Sequence, residues 1–272
     1  MEQRLESSQD SPRWPRLTVA LVAVAALFVL FAIGVSPVAP LDKADLVGYA
    51  ICHRIPERSF AIGGRQLPLC ARCTGTFLGA LVGLCAALLR RRRASHLPPV
   101  PVLACLVSFI ALWGFDGLNS YLTLFPGAPH LYEPRNWLRL TTGLLNGLAL
   151  ITLVLPIWNF TLWRVVSAEP VVKNLGELAA MLPTVAALVA IIRAEVGFLL
   201  YPLAIFSSLG VVLMLTLINS MIAAVVLGRE SYARRWSQLL GPLTIGAALA
   251  VGQIAGMVLL RDYLTARFGL SF

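Results

Sequence analysis

Charge is what this chain has least of. Only 13% of its 272 residues are Asp, Glu, Lys or Arg, whereas 58% are hydrophobic, and the mean hydropathy is +0.80. A water-soluble chain of this length would aggregate with so apolar a surface, so a soluble globular protein is excluded and an integral membrane protein is implied. A basic stripe with interleaved aromatics is also missing. The net charge of +9 resides mostly in arginines that flank apolar runs, which argues against a nucleic-acid partner and for membrane lipids, through topology and headgroup contact. No A-x-A cleavage site follows the first apolar run, which is longer than a signal-peptide core, so it reads as an uncleaved helix.

What the chain does have is long hydrophobic runs. Crossing roughly 30 Å of hydrocarbon takes about 20 residues at helical rise, and seven segments are candidates: 17–35, 74–89, 100–124, 137–158, 175–192, 203–227 and 239–260. The second is short, and the fifth carries Glu177 and Pro183. The expected fold is all-α, a polytopic bundle of about seven transmembrane helices. Cytoplasmic ends of spans are rich in Lys and Arg. The run Arg90, Arg91, Arg92, Arg93 after the second span, with Arg229, Arg234 and Arg235 after the sixth, places the N-terminus in the cytoplasm of a cell with this protein in its inner membrane. The loop around Cys52 is then outside. That loop holds Lys43, Arg54, Arg58, Arg65 and Arg72, but charges tied into a folded site need not report topology. The chain divides into a tail and first helix (1–40), a motif-bearing membrane domain (41–158) and a C-terminal group of helices (159–272).

Small residues recur every four positions at Gly75, Gly79 and Gly83 and again at Gly143 and Gly147. Such rows let helix backbones approach closely in lipid. Two similar packing faces explain them more simply than an internal duplication.

The most polar stretch is "CHRIPERSFAIGGRQLPLCARCTG", residues 52–75. Cys70 and Cys73 precede the second span, where unpaired backbone N–H groups at a helix start favour thiolates, so both are expected to have lowered pKa values. Three chemistries suit the set. Cys52, His53, Cys70 and Cys73 form a metal site of three thiolates and one imidazole, with zinc the expected ion; or Cys70 and Cys73 exchange disulfides with Cys52; or the cysteines are structural. A membrane thiol oxidoreductase needs a second exchangeable pair, and only Cys52 is at hand. Cys85 and Cys105 fall inside spans and act as small hydrophobes, while His96 and His130 lie in connections.

Asp116 lies inside the third span, where a carboxylate is costly unless it is paired or faces water. Asn119 shares its helical face, and Arg139, Thr142 and Asn146 form a stripe in the fourth span. The simplest expectation pairs Asp116 with Arg139. Arg58, Arg72, Arg135 and Arg139, with Asp116 and Asn119, would ring a pocket fit for a phosphate or an anionic headgroup, the basis of an alternative reading as a transporter or lipid-handling protein.

At "CHRIPERSF", "CARCTGTFLG" and "DGLNSY" the sequence resembles a prokaryotic membrane-protein family, domain of unknown function 2085. The resemblance covers residues 41–158. It implies that Cys52, His53, Arg58, Ser59, Phe60, Cys70, Arg72, Cys73, Gly75, Asp116 and Gly117 occupy the family's signature positions, and it implies no activity. The reading that gathers most of these residues is a membrane protein with a metal centre at its outer face beside a polar Asp/Arg pocket. Three thiolates and a neutral imidazole on a divalent ion carry net negative charge, which neighbouring arginines would offset.

Overall fold

In hydrocarbon a backbone must satisfy its own hydrogen bonds, so apolar runs of this length fold as helices. The computed structural model describes residues 16–34, 39–90, 93–125 and 127–269, with the side chains of 16–18 and 30–34 excepted. Arg91 and Arg92 of the arginine run, and residues 1–15 and 35–38 of the expected first domain, lie outside the described residues. The elements in chain order are α1 (Arg16–Gly34), α2 (Pro40–Ile51), β1 (Ala61–Ile62), β2 (Arg65–Gln66), α3 (Ala71–Leu89), β3 (Ala94–His96), α4 (Val100–Leu122), α5 (Asn136–Leu162), β4 (Ser167–Pro170), α6 (Leu175–Ala179), α7 (Leu182–Arg193), α8 (Leu200–Val226) and α9 (Trp236–Phe268).

Among the described residues, six segments are long and apolar enough to cross a membrane: α3, α4, α5, α6 together with α7, α8 with the turn before it, and α9. These are the second to seventh expected spans. Of the first, α1 is a 19-residue helix. The protein is a multi-pass helical membrane protein. Span α6–α7 is broken where Pro183 removes a backbone donor at the start of α7. Glu177 does not sit unpaired in lipid: it belongs to the first turn of α6, where Asn174 caps its N–H at 2.9 Å and its carboxylate accepts the N–H of Lys173 at 2.9 Å.

Helix α5 is the central column, with 67% of its apolar window buried, and α3 lies along it. The two glycine rows are partners. A Cβ on Gly75 or Gly79 would overlap the backbone of Leu140 or Leu144, and one on Gly143 or Gly147 would overlap the carbonyl oxygens of Arg72 or Thr76. Each glycine therefore receives the opposing backbone where a side chain would stand, and the helices lock in register.

This lock places the polar ends together. The start of α3, the end of α4 and the start of α5 meet at one face, joined there by the hairpin β1–β2, while β3 and β4 pair in parallel at the other face through Ala94 and Ser167. At that other face Trp163 packs edge-on to Trp236 at 4.8 Å, with the Arg93 guanidinium 3.8 Å over its ring.

A candidate metal centre beside an arginine cavity

The loop from Cys52 to Cys70 is a fold-back built to return the chain to its starting point. Cys52 leaves α2 in extended backbone (φ −125°, ψ 145°). Arg54 then takes the left-handed region at φ 50°, uncommon for a residue with a Cβ, and reverses the chain. A short turn, Pro56–Arg58, leads into the hairpin, whose two turn residues Gly63 and Gly64 have φ values of 60° and 78° that glycine adopts without steric cost. Gln66 ties the returning strand down, donating to the Arg54 carbonyl at 2.8 Å and to Ser59 Oγ at 2.9 Å. Fully buried Leu67 and Leu69 anchor the last stretch. Cys70 arrives as the N-cap of α3 and Cys73 lies in its first turn.

The sulfurs of Cys52, Cys70 and Cys73 consequently lie within 4.8 Å of one another. Three sulfurs bound tetrahedrally at about 2.3 Å from one zinc ion stand roughly 3.8 Å apart, so the triangle fits a soft divalent ion with little movement. An apolar wall of Leu69, Val211 and Phe77 backs it. The Cys52 sulfur accepts the Cys70 N–H at 3.3 Å. Hydrogen bonds from Cys70 and Cys73, reinforced by the backbone N–H groups of Arg54 and Cys70, hold the Cys52 thiol well below its ordinary range. Cys70, donating to that sulfur, is raised. The expectation that Cys70 would be acidified by the helix start is thus corrected: the thiol held low is Cys52, which collects the most donors.

His53 is a second correction. Its ring is not part of the sulfur group; the residue is exposed and contributes to the lining of the adjoining cavity. Successive residues in extended backbone project to opposite sides, so the conformation that aims Cys52 inward aims His53 away. The donor set in the structure is three cysteine sulfurs, without the imidazole.

Cys52, Cys70 and Cys73 line a cavity of about 260 Å³ together with Arg58, Arg72 and Arg139. These three guanidinium groups converge on Ser120: Arg58 donates to its carbonyl at 3.0 Å, Arg72 to its hydroxyl at 3.1 Å and Arg139 to its hydroxyl at 3.3 Å. Asp116, 1% exposed, is their carboxylate. Its partner is not Arg139 but Arg72, whose Nη2 lies 2.5 Å from Oδ2, and Tyr132 donates to Oδ1 at 2.7 Å. Burial, then that hydrogen bond, pushes the Tyr132 phenol up to about 12, so it stays a donor at neutral pH. The glycine lock fixes the first turn of α3 against the start of α5, and from there the Arg72 side chain reaches the last turns of α4, donating to the Asp116 carboxylate and carbonyl and to the Ser120 hydroxyl. Arg139 instead donates to Asn136 at 2.8 Å.

Two further expected pocket residues lie elsewhere. Asn119 pins the α4–α5 connection, accepting the Leu131 N–H at 2.7 Å and donating to the Tyr132 carbonyl at 2.9 Å. Arg135 is the exposed N-cap of α5 and does not line the cavity. Sequence reasoning missed Ser120, although it follows Asp116 by one helical turn. It also missed Arg261 of α9, which donates to the carbonyls of Tyr49 and, at 3.0 Å, Cys52. Arg261→Met should leave both carbonyls unsatisfied and cost about 2 kcal/mol, measured as a lowered thermal midpoint in detergent.

The profile of a family described as a predicted membrane protein, DUF2085, matches residues 52–153, which begin at Cys52 and end within α5. An uncharacterised protein of Methanothermobacter thermautotrophicus is 36% identical over 104 residues, 38% of this chain and 83% of the relative. An uncharacterised protein of Methanocaldococcus jannaschii is 31% identical over 108 residues, 40% of this chain and 64% of that relative. No solved structure matches. The matched region contains the cysteines, the arginine cluster, Asp116 and the glycine lock, and the chain belongs to the DUF2085 membrane-protein family.

Proposed function

We propose that this membrane protein holds a zinc ion on Cys52, Cys70 and Cys73, with the fourth coordination position open to the arginine cavity. The observation that carries the reading is the convergence of all three sulfurs from two chain segments into one triangle. A disulfide would use two of them and strand the third, whereas a divalent ion uses every one. Zinc is favoured because thiolate sets suit it and its tetrahedral preference tolerates three protein ligands plus one exchangeable group. The N–H groups aimed at the Cys52 sulfur are the outer-shell support such thiolates need.

The site faces the outside of the cell membrane in this reading. Arg90, Arg93, Arg164, Arg229, Arg234 and Arg235 cluster at the opposite ends of the spans, the pattern of a cytoplasmic face. On the site face Arg54 and Arg65 are engaged by Asp42 and Asp45 at 2.6–2.8 Å and Arg72 by Asp116, so they serve the fold.

The test is elemental analysis with thiol counting on detergent-purified protein. Wild type should carry about one zinc per chain, and Cys73→Ser about a tenth of that or less. Because thiols must lose protons to bind the ion, zinc should leave as pH falls towards about 5. Metal-free wild type with a reversible disulfide between two of the cysteines would overturn the reading.

A further inference from the structure

The arginine cluster has more positive charge than its own surroundings neutralise. Arg58, Arg72 and Arg139 meet at Ser120, and the only carboxylate bound to any of them among the described residues is Asp116. That leaves a surplus of two positive charges. Zinc on three thiolates would supply one net negative charge, and one positive charge remains at the cavity.

The donors are also only partly used. A guanidinium has five N–H groups. Among the described residues Arg58 spends one, on the Ser120 carbonyl, and Arg139 spends its Nε on Ser120 and one Nη on Asn136. No nitrogen of Arg58, Arg72 or Arg139 is both sealed from solvent and without a partner, so the nitrogens without a partner keep contact with solvent, and all three side chains line the cavity. Cys52, Cys70 and Cys73 line the same 260 Å³. Ile51, Tyr121 and Leu124 add apolar surface to that lining. The space thus brings guanidinium groups, thiols and apolar side chains together.

We infer that the cavity binds an oxyanion, a phosphate or carboxylate group, that lies in the fork of Arg58 and Arg139 and supplies the fourth ligand to the metal. Guanidinium forks recognise oxyanions by paired charge-assisted bonds, and one oxygen of a group held there can turn to the open position of the thiolate-bound ion. The inference rests on the metal reading for its fourth-ligand part and on the arginines alone for its anion part. The group can arrive as a small free anion or as the headgroup of a lipid whose chains pass over Ile51, Tyr121 and Leu124.

The experiment uses full-length protein in detergent, loaded with cobalt as a spectroscopic stand-in for zinc and titrated with inorganic phosphate or with short-chain phosphatidic acid. Saturable change in the cobalt visible bands supports the inference. Phosphate acting alone as well as the lipid identifies a free anion; action by the lipid only identifies a headgroup. Arg58→Gln, which leaves the Asp116 ion pair in place, should weaken the response about ten- to a hundredfold with cobalt stoichiometry unchanged. Stoichiometric cobalt with bands indifferent to both probes overturns the fourth-ligand inference and leaves the metal reading standing. If cobalt does not bind, the metal reading has failed, and binding of radiolabelled phosphate to the metal-free protein decides the anion part: saturation lost in Arg58→Gln supports it, and no saturation overturns it.

Discussion

Gly147→Leu is expected to yield no folded protein, judged by loss of a monodisperse peak in detergent size-exclusion chromatography. Even a methyl group at Gly147 would overlap the Thr76 carbonyl oxygen and the Ala80 nitrogen, both backbone atoms, so the clash cannot be relieved by rotating a side chain. Helices α3 and α5 would have to separate, and overpacking of this kind costs on the order of 3 kcal/mol or more. The separation would also displace Arg72, whose carbonyl receives Gly143, and so undo the site. Gly147→Ala should be destabilised in the same direction to a smaller degree. Gly114→Ala is the control: nothing lies within 4 Å of a Cβ built there, and its thermal midpoint should equal or slightly exceed wild type, since Ala suits a helix interior better than Gly.

The second large effect is expected at Asp116. Removing it in Asp116→Ala strips the counter-charge from Arg72 and the acceptor from Tyr132. Breaking a buried ion pair from one side costs about 3–5 kcal/mol because the surviving charge has nowhere to go. Pairing the change with Arg72→Met should recover most of that loss, since removing both members of a buried pair is often close to neutral. The comparison is a double-mutant cycle read from thermal midpoints in detergent. Equal instability of Asp116→Ala and the double variant would show that the carboxylate matters to Arg58 and Arg139 rather than to Arg72.

Much of this was legible in the sequence because hydropathy and spacing are local signals. The spans announced themselves, and where limits moved they moved for a reason: Ala71, Arg72 and Cys73 are helical, yet two of the three are polar or reactive, and a hydropathy reading assigns them to the loop. The glycine rows were visible one at a time; that each row serves as the other's socket depends on which helices become neighbours. Helical spacing also put Asp116 and Arg139 on defined faces without choosing between Arg139 and Arg72 as partner. The choice depends on where α3 stands relative to α4 and α5, a tertiary relation that helical spacing within one span does not carry. His53 stands outside the sulfur group for a reason the sequence could have supplied, since adjacent residues seldom aim the same way in extended chain. Arg261 lies 209 residues from Cys52, and a reading that ends the seventh span at residue 260 stops one position short of it.

That distance has a consequence for biosynthesis. Residues 52–153 can emerge and insert with their glycine lock and thiols in place, but the guanidinium that grips the Cys52 carbonyl comes from α9, synthesised much later. If the sulfurs hold an ion as proposed, one captured before α9 has inserted would sit on a turn that Arg261 does not yet clamp.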